Sequence, residues 1–179
     1  LLENHVHLLC TQNVDGGMSK MIQSLGRQYV RFFNQQNKRT GTLWEGRYRS
    51  CLVQSENYLL EVCKYIELNP VRLELTNHAS DYKWSSYLIN ANGKPSALCK
   101  PHDQYLRLGN SKEERSENYR LFCEISTDEE IIEEIRKSTN KGLAIGEEAF
   151  INEIEISTGN RFRPLKKGRP SGWRKEKNF

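Results

Sequence analysis

The sequence predicts an α+β fold in which an antiparallel β-sheet packs against helices. Residues 4–11, NHVHLLCT, are short, apolar-rich and followed by turn residues, which is typical of a strand. Apolar residues recur every three or four positions over residues 18–37 and 56–68, the period of amphipathic helices. In residues 41–54, GTLWEGRYRSCLVQ, aromatic or apolar side chains tend to alternate with charged ones, which is typical of a second strand.

The first predicted helix, residues 18–37, is defined by a stripe of apolar side chains that would face the sheet. Lysine, arginine and glycine follow it, and cations with a glycine are typical of a helix C-terminus. The residues of the stripe are Met18, Met21, Ile22, Leu25, Tyr29, Phe32 and Phe33.

The second predicted helix, residues 56–68, would start after Ser55 as its N-cap. Its apolar stripe predicts burial of Leu59, Val62, Cys63 and Ile66. The pair Asn69-Pro70 should break it, because a residue before proline is pushed out of the helical region.

The C-terminal half reads as further short elements. Residues 81–90 form an aromatic-rich element, residues 90–103 a loop and residues 111–125 a helix. Thr127 and Glu130 have the spacing of a capping box for a helix reaching about residue 137, and Gly142 would close that unit. A last helix is expected at about 147–156. We expect three regions: a catalytic domain at 1–125, a helical extension at 126–160 and a tail without fixed structure at 161–179.

The net charge of +4 is unevenly distributed along the chain. Residues 1–109 carry +4, residues 110–160 carry −7 and residues 161–179 carry +7. A basic body with a basic tail favours a polyanionic partner. No apolar run approaches the roughly 20 residues of a spanning helix, so we expect no membrane partner and a cytoplasmic location. The five scattered cysteines lack paired spacing, which favours free thiols in a reducing compartment.

Two histidines are the first candidates for chemistry. His5 and His7 lie two apart on the predicted strand, so both rings would point to one face with Val6 behind them in the core. Two imidazoles on one face can bind one metal ion. Taken alone, the pair fits a solvated strand face better than a metal site.

The second candidate pair is Tyr65 and Asn69, four apart and therefore on one helical face. Tyr65 lies at the edge of the predicted stripe, from which it could reach a site. By spacing alone, Tyr65 could instead pack against the sheet, and Asn69 could cap the segment that begins at Pro70.

Basic and aromatic residues interleave in the second predicted strand, where Arg47 and Arg49 share one face and Trp44 and Tyr48 lie close by. Arginine holds phosphates and aromatic rings stack on bases, so the pattern suits a nucleic-acid strand. The alternative is a solvated strand with two core aromatic residues.

The tail contains KKGRPSGWRK, whose Gly168-Arg169-Pro170 core is similar to a minor-groove-binding hook. Lys166, Lys167 and Arg169 are therefore predicted to contact DNA. A generic phosphate-binding tail explains the same residues.

Four motifs, in this order and spacing, resemble one known family. ENHVHLL, LWEGRYRS, YIELNPVR and DYKWSSY resemble the REP-associated tyrosine transposases of the HUH superfamily, which act on single DNA strands. The resemblance covers about residues 3–125. It implies a ferredoxin-like or RRM-like core, from which a first strand and helix before the histidine strand are missing here.

The resemblance also implies a site. Tyr65 would be the nucleophile, and His5, His7 and Asn69 would bind a divalent ion, Mg²⁺ or Mn²⁺. The enzyme would cleave and rejoin single-stranded or hairpin DNA through a 5′-phosphotyrosine, as a monomer or homodimer associated with a bacterial nucleoid. Two alternatives stay open: a domesticated protein that binds hairpin DNA without cleaving it, and a replication-type or relaxase-type nickase. A metalloenzyme that does not act on nucleic acid would leave the basic residues unexplained.

Overall fold

The computed structural model describes residues 1–165 of the 179-residue chain, and helices dominate this part. No helix in it is long and apolar enough to cross a membrane. In chain order its elements are α1 (Gly17–Gln36), β1 (Leu52–Val53), α2 (Ser55–Glu67), α3 (Asn69–Arg72), a 3₁₀ turn (Ala79–Asp81), α4 (Tyr87–Asn92), α5 (Asp103–Leu106), α6 (Lys112–Glu124), α7 (Glu129–Lys141), β2 (Ala144–Ile145) and α8 (Glu148–Thr158).

The sheet differs from the predicted one. β1 and β2 pair in parallel, with Leu52 opposite Ala144, and no antiparallel sheet is formed within residues 1–165. Residues 4–11, predicted as a strand, have no regular secondary structure. A strand requires a neighbour that shares its hydrogen bonds, and none of the described segments supplies one for this stretch. Of the second predicted strand, only Leu52 and Val53 are paired.

Helix α1 confirms the prediction for residues 18–37 within one residue at each end. Its apolar stripe is only partly covered, however: Leu25 is 53% and Phe32 60% accessible, whereas Met18, Ile22 and Phe33 are half-buried. Val6, predicted to lie in the core behind the two histidines, is 44% accessible. The prediction that this stripe and Val6 are buried against a sheet was therefore wrong for the described part of the chain.

Helix α2 is buried on two sides, which the sequence pattern did not indicate. On one side Val62 and Tyr65 pack with Ile132 and Ile135 of α7 and with Ile145 of β2. Tyr65 is 6% accessible and lies inside this cluster, not at its edge as predicted. Ser55 is the first residue of α2 and not its N-cap, a position that Gln54 takes without a side-chain hydrogen bond.

The other side of α2 carries a buried carboxyl group. Glu67, 1% accessible, accepts hydrogen bonds from the hydroxyls of Ser86 at 2.5 Å and Tyr119 at 2.8 Å, and from the Asn90 amide at 2.7 Å. These donors come from the residue before α4, from α4 and from α6. Burial raises the pKa of Glu67, and the hydrogen bonds partly offset the rise. This polar anchor fixes α2 against α4 and α6.

A buried lysine reinforces the same side of α2. The Lys64 ammonium lies 4.5 Å from the centre of the Phe122 ring, on α6. It is also 3.9 Å from the Glu61 carboxylate, one turn earlier. A cation over an aromatic face is attracted by the ring quadrupole, so this contact draws α6 toward α2.

Helix α7 begins and ends by different capping devices. Asp128 is its N-cap and accepts a hydrogen bond from the Glu130 amide, so the predicted capping box at Thr127 was wrong. Asp128 is the residue immediately before the helix, and a short side chain there reaches the first free amides. Gly142 closes α7 with φ at +65°, as predicted from its position, although the helix runs to Lys141.

Segments from both sides of the predicted boundary at residue 125 share one core. β1 pairs with β2, and α7 packs on α2 through Ile132 and Ile135. The start of the predicted tail also makes contacts, since Arg163 forms ion pairs with Glu148 at 2.8 Å and Glu155 at 3.7 Å. The rest of that tail, 166–179, lies outside the described residues.

Glu67→Gln tests the buried carboxyl group through stability. The folded-state pKa of Glu67 lies above its unfolded value, so its contribution to stability is full below about pH 4.3 and is lost as pH rises through the folded pKa. Glutamine resembles the protonated carboxyl, with one acceptor oxygen and one donor group, and it carries no charge at any pH. We expect the variant to gain stability relative to wild type as pH rises from 4 to about 8, as measured by urea unfolding.

The matched control is Glu117→Gln, because Glu117 is exposed on α6. Its unfolding free energy should follow that of wild type across the same pH range. Parallel pH profiles for wild type and Glu67→Gln would show that folding does not perturb the Glu67 carboxyl.

Candidate active site

Three of the predicted site residues meet in space. The ring centres of His5 and His7 are 4.9 Å apart with perpendicular planes, and the His7 ring lies 5.9 Å from that of Tyr65, edge to face. The His7 imidazole thus lies against Tyr65, a residue almost sixty positions later in the chain. The two rings come together although the segment that carries them is not a hydrogen-bonded strand.

The spacing of the two imidazoles suits a shared metal ion. Rings that each place a nitrogen about 2 Å from one ion have centres roughly 5 Å apart. The observed 4.9 Å agrees with that arrangement. The His5 Nδ1 atom lies 2.6 Å from the Asn4 side-chain oxygen, a contact that fixes the ring and leaves Nε2 available.

The third predicted ligand, Asn69, is the first residue of α3, one turn beyond Tyr65. It is 6% accessible, and its side chain does not cap α3. The predicted donor set of two histidine nitrogens and this carboxamide oxygen would suit a divalent ion of intermediate softness. No group of three or more His, Cys, Asp or Glu side chains within residues 1–165 could hold a metal, so any site here depends on Asn69 or on substrate oxygens.

Electrostatics at the pair favour uncharged imidazole. The pKa of His7 is lowered, first by burial and then by repulsion from His5, the amino terminus and Arg72. Neutral imidazole is the form that binds metals, so this environment favours a ligand role for His7.

An arginine that sequence reasoning did not single out contacts Tyr65. The Arg72 guanidinium lies 4.5 Å from the centre of the Tyr65 ring, and one of its nitrogens donates to the Tyr65 backbone carbonyl. Arg72 is seven residues after Tyr65, two helical turns. Helical side chains lean toward the N-terminus, so that spacing could have revealed the contact.

Two of the predicted DNA-binding residues, Trp44 and Tyr48, lie against helix α1. Trp44 packs on α1, with its ring centre 6.0 Å from that of Tyr29 and its indole nitrogen 3.4 Å from the Gly26 carbonyl. Tyr48 also contacts α1, with its hydroxyl 2.7 Å from that of Ser19. Both rings stay more than 40% accessible.

The two arginines of the same segment are exposed, and they do not share a strand face, because residues 41–50 follow bends. Arg49 donates to the Asn140 side chain at the end of α7. Arg47 forms no hydrogen bond with the described residues. The remaining predicted DNA contacts, Lys166, Lys167 and Arg169, lie outside the described residues.

Comparison with known proteins agrees with this part of the chain. A family model described as transposase IS200 like matches residues 1–69, the stretch that contains both histidines, Tyr65 and Asn69. The matched stretch is 69 of the 179 residues, and it is similar to the IS200-like transposases, a class of DNA-processing enzyme. No curated protein and no solved structure matches the chain.

Paramagnetic Mn²⁺ provides a test of the histidine pair that does not require activity. The chain has four histidines, so His78 and His102 serve as internal controls. Adding Mn²⁺ to the full chain should broaden the imidazole proton signals of His5 and His7 first, because they would bind the ion directly. The same experiment on His5→Ala should need much higher Mn²⁺ to broaden His7. Equal broadening of all four histidines would contradict a metal site at this pair.

Proposed function

We propose that this chain is a transposase that cleaves and rejoins one strand of single-stranded or hairpin DNA, with Tyr65 as the nucleophile. The observation that carries the proposal is the cluster of His5, His7 and Tyr65, with Arg72 on the tyrosine ring. It combines a phenol, two possible metal ligands and a fixed cation within or close to the region that matches the family.

The proposed reaction exchanges one phosphodiester linkage for another. The Tyr65 hydroxyl oxygen attacks the phosphorus, forming a bond to it as the bond to the upstream 3′ oxygen breaks. The phenol proton is released and the leaving oxygen takes up a proton to become a 3′ hydroxyl. The downstream strand stays attached to Tyr65 through its 5′ phosphate. A 3′ hydroxyl can reverse the step, so rejoining needs no nucleotide cofactor.

The residues of the site would divide the work of this step. His5, His7 and Asn69 would hold a divalent cation, Mg²⁺ or Mn²⁺, which would polarise the phosphate and stabilise the charge that develops on it. Packing between α2 and α7 holds the Tyr65 ring in one orientation, which lowers the cost of aligning it for in-line attack. The Tyr65 hydroxyl has no hydrogen-bond partner within residues 1–165, which leaves it available to a substrate.

Trp44, Tyr48 and Arg47 would hold the DNA strand alongside. The two aromatic rings are partly exposed beside α1, where bases could stack on them. Arg47 could bind a phosphate without first giving up an internal hydrogen bond. Arg49 is tied to Asn140, so its contribution would require release of that contact. Lys166, Lys167 and Arg169 would add a diffuse attraction for the backbone.

One observation favours a second candidate, a protein that binds hairpin DNA without cleaving it. Tyr65 is 6% accessible and shares a hydrophobic cluster with Ile132 and Ile135 of α7. A nucleophile covered in this way reaches a phosphate only through its hydroxyl edge or after α7 moves. The two candidates differ in one product, a covalent protein–DNA adduct. A nickase of the replication or relaxase type would form the adduct but would not join it to a new 3′ end.

Tyr65→Phe should abolish the adduct and leave DNA binding nearly unchanged, because it removes only the hydroxyl oxygen. The full chain would be incubated with labelled single-stranded hairpin DNA and Mn²⁺ and resolved on a denaturing gel. A second, unlabelled 3′-hydroxyl strand tests transfer.

The control for this prediction is Tyr58→Phe, on the same helix. Burial and the carboxylates Glu134 and Glu147 raise the pKa of Tyr58, so it is a poor nucleophile. Its variant should form the adduct at the wild-type level. A normal adduct from Tyr65→Phe would move the nucleophile elsewhere, and no adduct from wild type would favour the binding protein.

A further inference from the structure

Arg72 carries a positive charge that nothing in the described structure neutralises. The side chain is partly buried at the end of α3, and it forms no ion pair within residues 1–165. Its Nε atom is buried without a hydrogen-bond partner. Burial lowers the pKa of Arg72, but a guanidinium stays protonated in proteins. An unpaired, partly desolvated cation is unfavourable, so its position calls for an anion.

Two contacts with Tyr65 fix the position of the Arg72 guanidinium. One guanidinium nitrogen donates to the Tyr65 carbonyl, one of the last four carbonyls of α2, which lack partners in the helix. The guanidinium carbon lies over the Tyr65 ring, 4.5 Å from its centre. Both contacts are made to Tyr65, so the guanidinium is held beside this residue, and its other nitrogens form no hydrogen bond within residues 1–165. A guanidinium matches a phosphate through two parallel hydrogen bonds.

The charges around Arg72 leave this position to an incoming group. Arg136 of α7 repels the guanidinium and Glu129 attracts it, but neither forms an ion pair with it. Arg136 pairs instead with Glu133, at 3.6 Å. Arg72 is therefore left without an ion-pair partner among the described residues, which suits a DNA phosphate.

We propose that Arg72 binds the phosphodiester that Tyr65 attacks, with its free N–H groups on a non-bridging oxygen and its plane on the tyrosine ring. The role rests on the proposed function of Tyr65 and adds the residue that receives the scissile phosphate. Charge on the non-bridging oxygens grows as the Tyr65 oxygen bonds to phosphorus. A donor already aimed at those oxygens stabilises that state without reorganising.

A binding experiment tests this role without requiring cleavage. In the full chain labelled with ¹⁵N at arginine, the Nε–H signal of Arg72 is assigned by its disappearance in Arg72→Lys. Inorganic phosphate and a single-stranded thymidine oligonucleotide should each shift this signal in a saturable manner. Potassium chloride at equal ionic strength should not. A signal that does not move, or that moves equally with chloride, overturns the proposal.

The internal control is Arg115 on α6, which also donates to a backbone carbonyl, that of Gly109 at 3.1 Å. Its Nε–H signal should stay in place in both titrations. If the Arg115 signal shifts as much as that of Arg72, the shift reflects a general effect of anions on arginines, which also overturns the proposal.

The rate of adduct formation provides a second test of the role of Arg72. Arg72→Lys should slow adduct formation at saturating DNA by about 10²–10³-fold, the usual cost of a lost oxyanion donor. Lysine retains the charge near the end of α2 but not the planar fork, so the melting temperature should stay close to that of wild type. Arg115→Lys should form the adduct at the wild-type rate. A wild-type rate from Arg72→Lys contradicts the proposal. If wild-type protein forms no adduct, the function proposed for Tyr65 fails, and the phosphate titration still decides whether Arg72 binds the anion.

Discussion

The position of the candidate site depends on helix α2 being held from two opposite sides. On one side a buried carboxyl group, Glu67, collects hydrogen bonds from three donors around α4 and α6. On the other, Tyr65 packs with isoleucines of α7 and β2. Tyr65 and Glu67 are two residues apart, so the two faces are rigidly coupled through one turn of backbone. The hydrogen bonds to Glu67 that fix α2 therefore also fix the orientation of Tyr65.

The break after α2 brings the Arg72 side chain back onto Tyr65. Pro70 lacks an amide hydrogen and fits the first turn of a new helix, so α2 gives way to α3 at Leu68. The short helix α3 places Asn69 one turn and Arg72 two turns beyond Tyr65. Arg72 then satisfies the Tyr65 carbonyl that the end of α2 leaves free. Local backbone chemistry thereby brings a phenol and a guanidinium into contact within eight consecutive residues, with Asn69 between them in sequence.

The sequence predicted this part of the molecule well because its signals are local. Helical periodicity located α1 and α2 to within a residue or two. The Asn69-Pro70 pair placed the break one residue late, because it falls at Leu68 and Asn69 is already the first residue of α3. The sequence motifs pointed to His5, His7 and Tyr65, which the structure brings together. The roles assigned to them stay predictions, as does membership of the REP-associated tyrosine transposases.

The errors have a different origin, since they concern partners distant in sequence. The apolar run at 4–11 and the alternation over 41–54 predicted strands, but a strand forms only where a neighbour accepts its hydrogen bonds, and β1 finds one at Ala144–Ile145. Periodicity also marks Glu67 and Lys64 as polar and therefore exposed. Their burial depends on the donors of Ser86 and Tyr119 and on the ring of Phe122, which no local pattern reveals.

The central claim is that the histidines and Tyr65 form one site, and ring-proton cross-relaxation measures this directly. With ring centres 5.9 Å apart, the nearest protons of His7 and Tyr65 should be close enough for a nuclear Overhauser effect. The account predicts cross-peaks between these two rings in the full chain, and between His5 and His7. A folded chain in which the Tyr65 ring shows cross-peaks to the α7 isoleucines but none to His7 would contradict it.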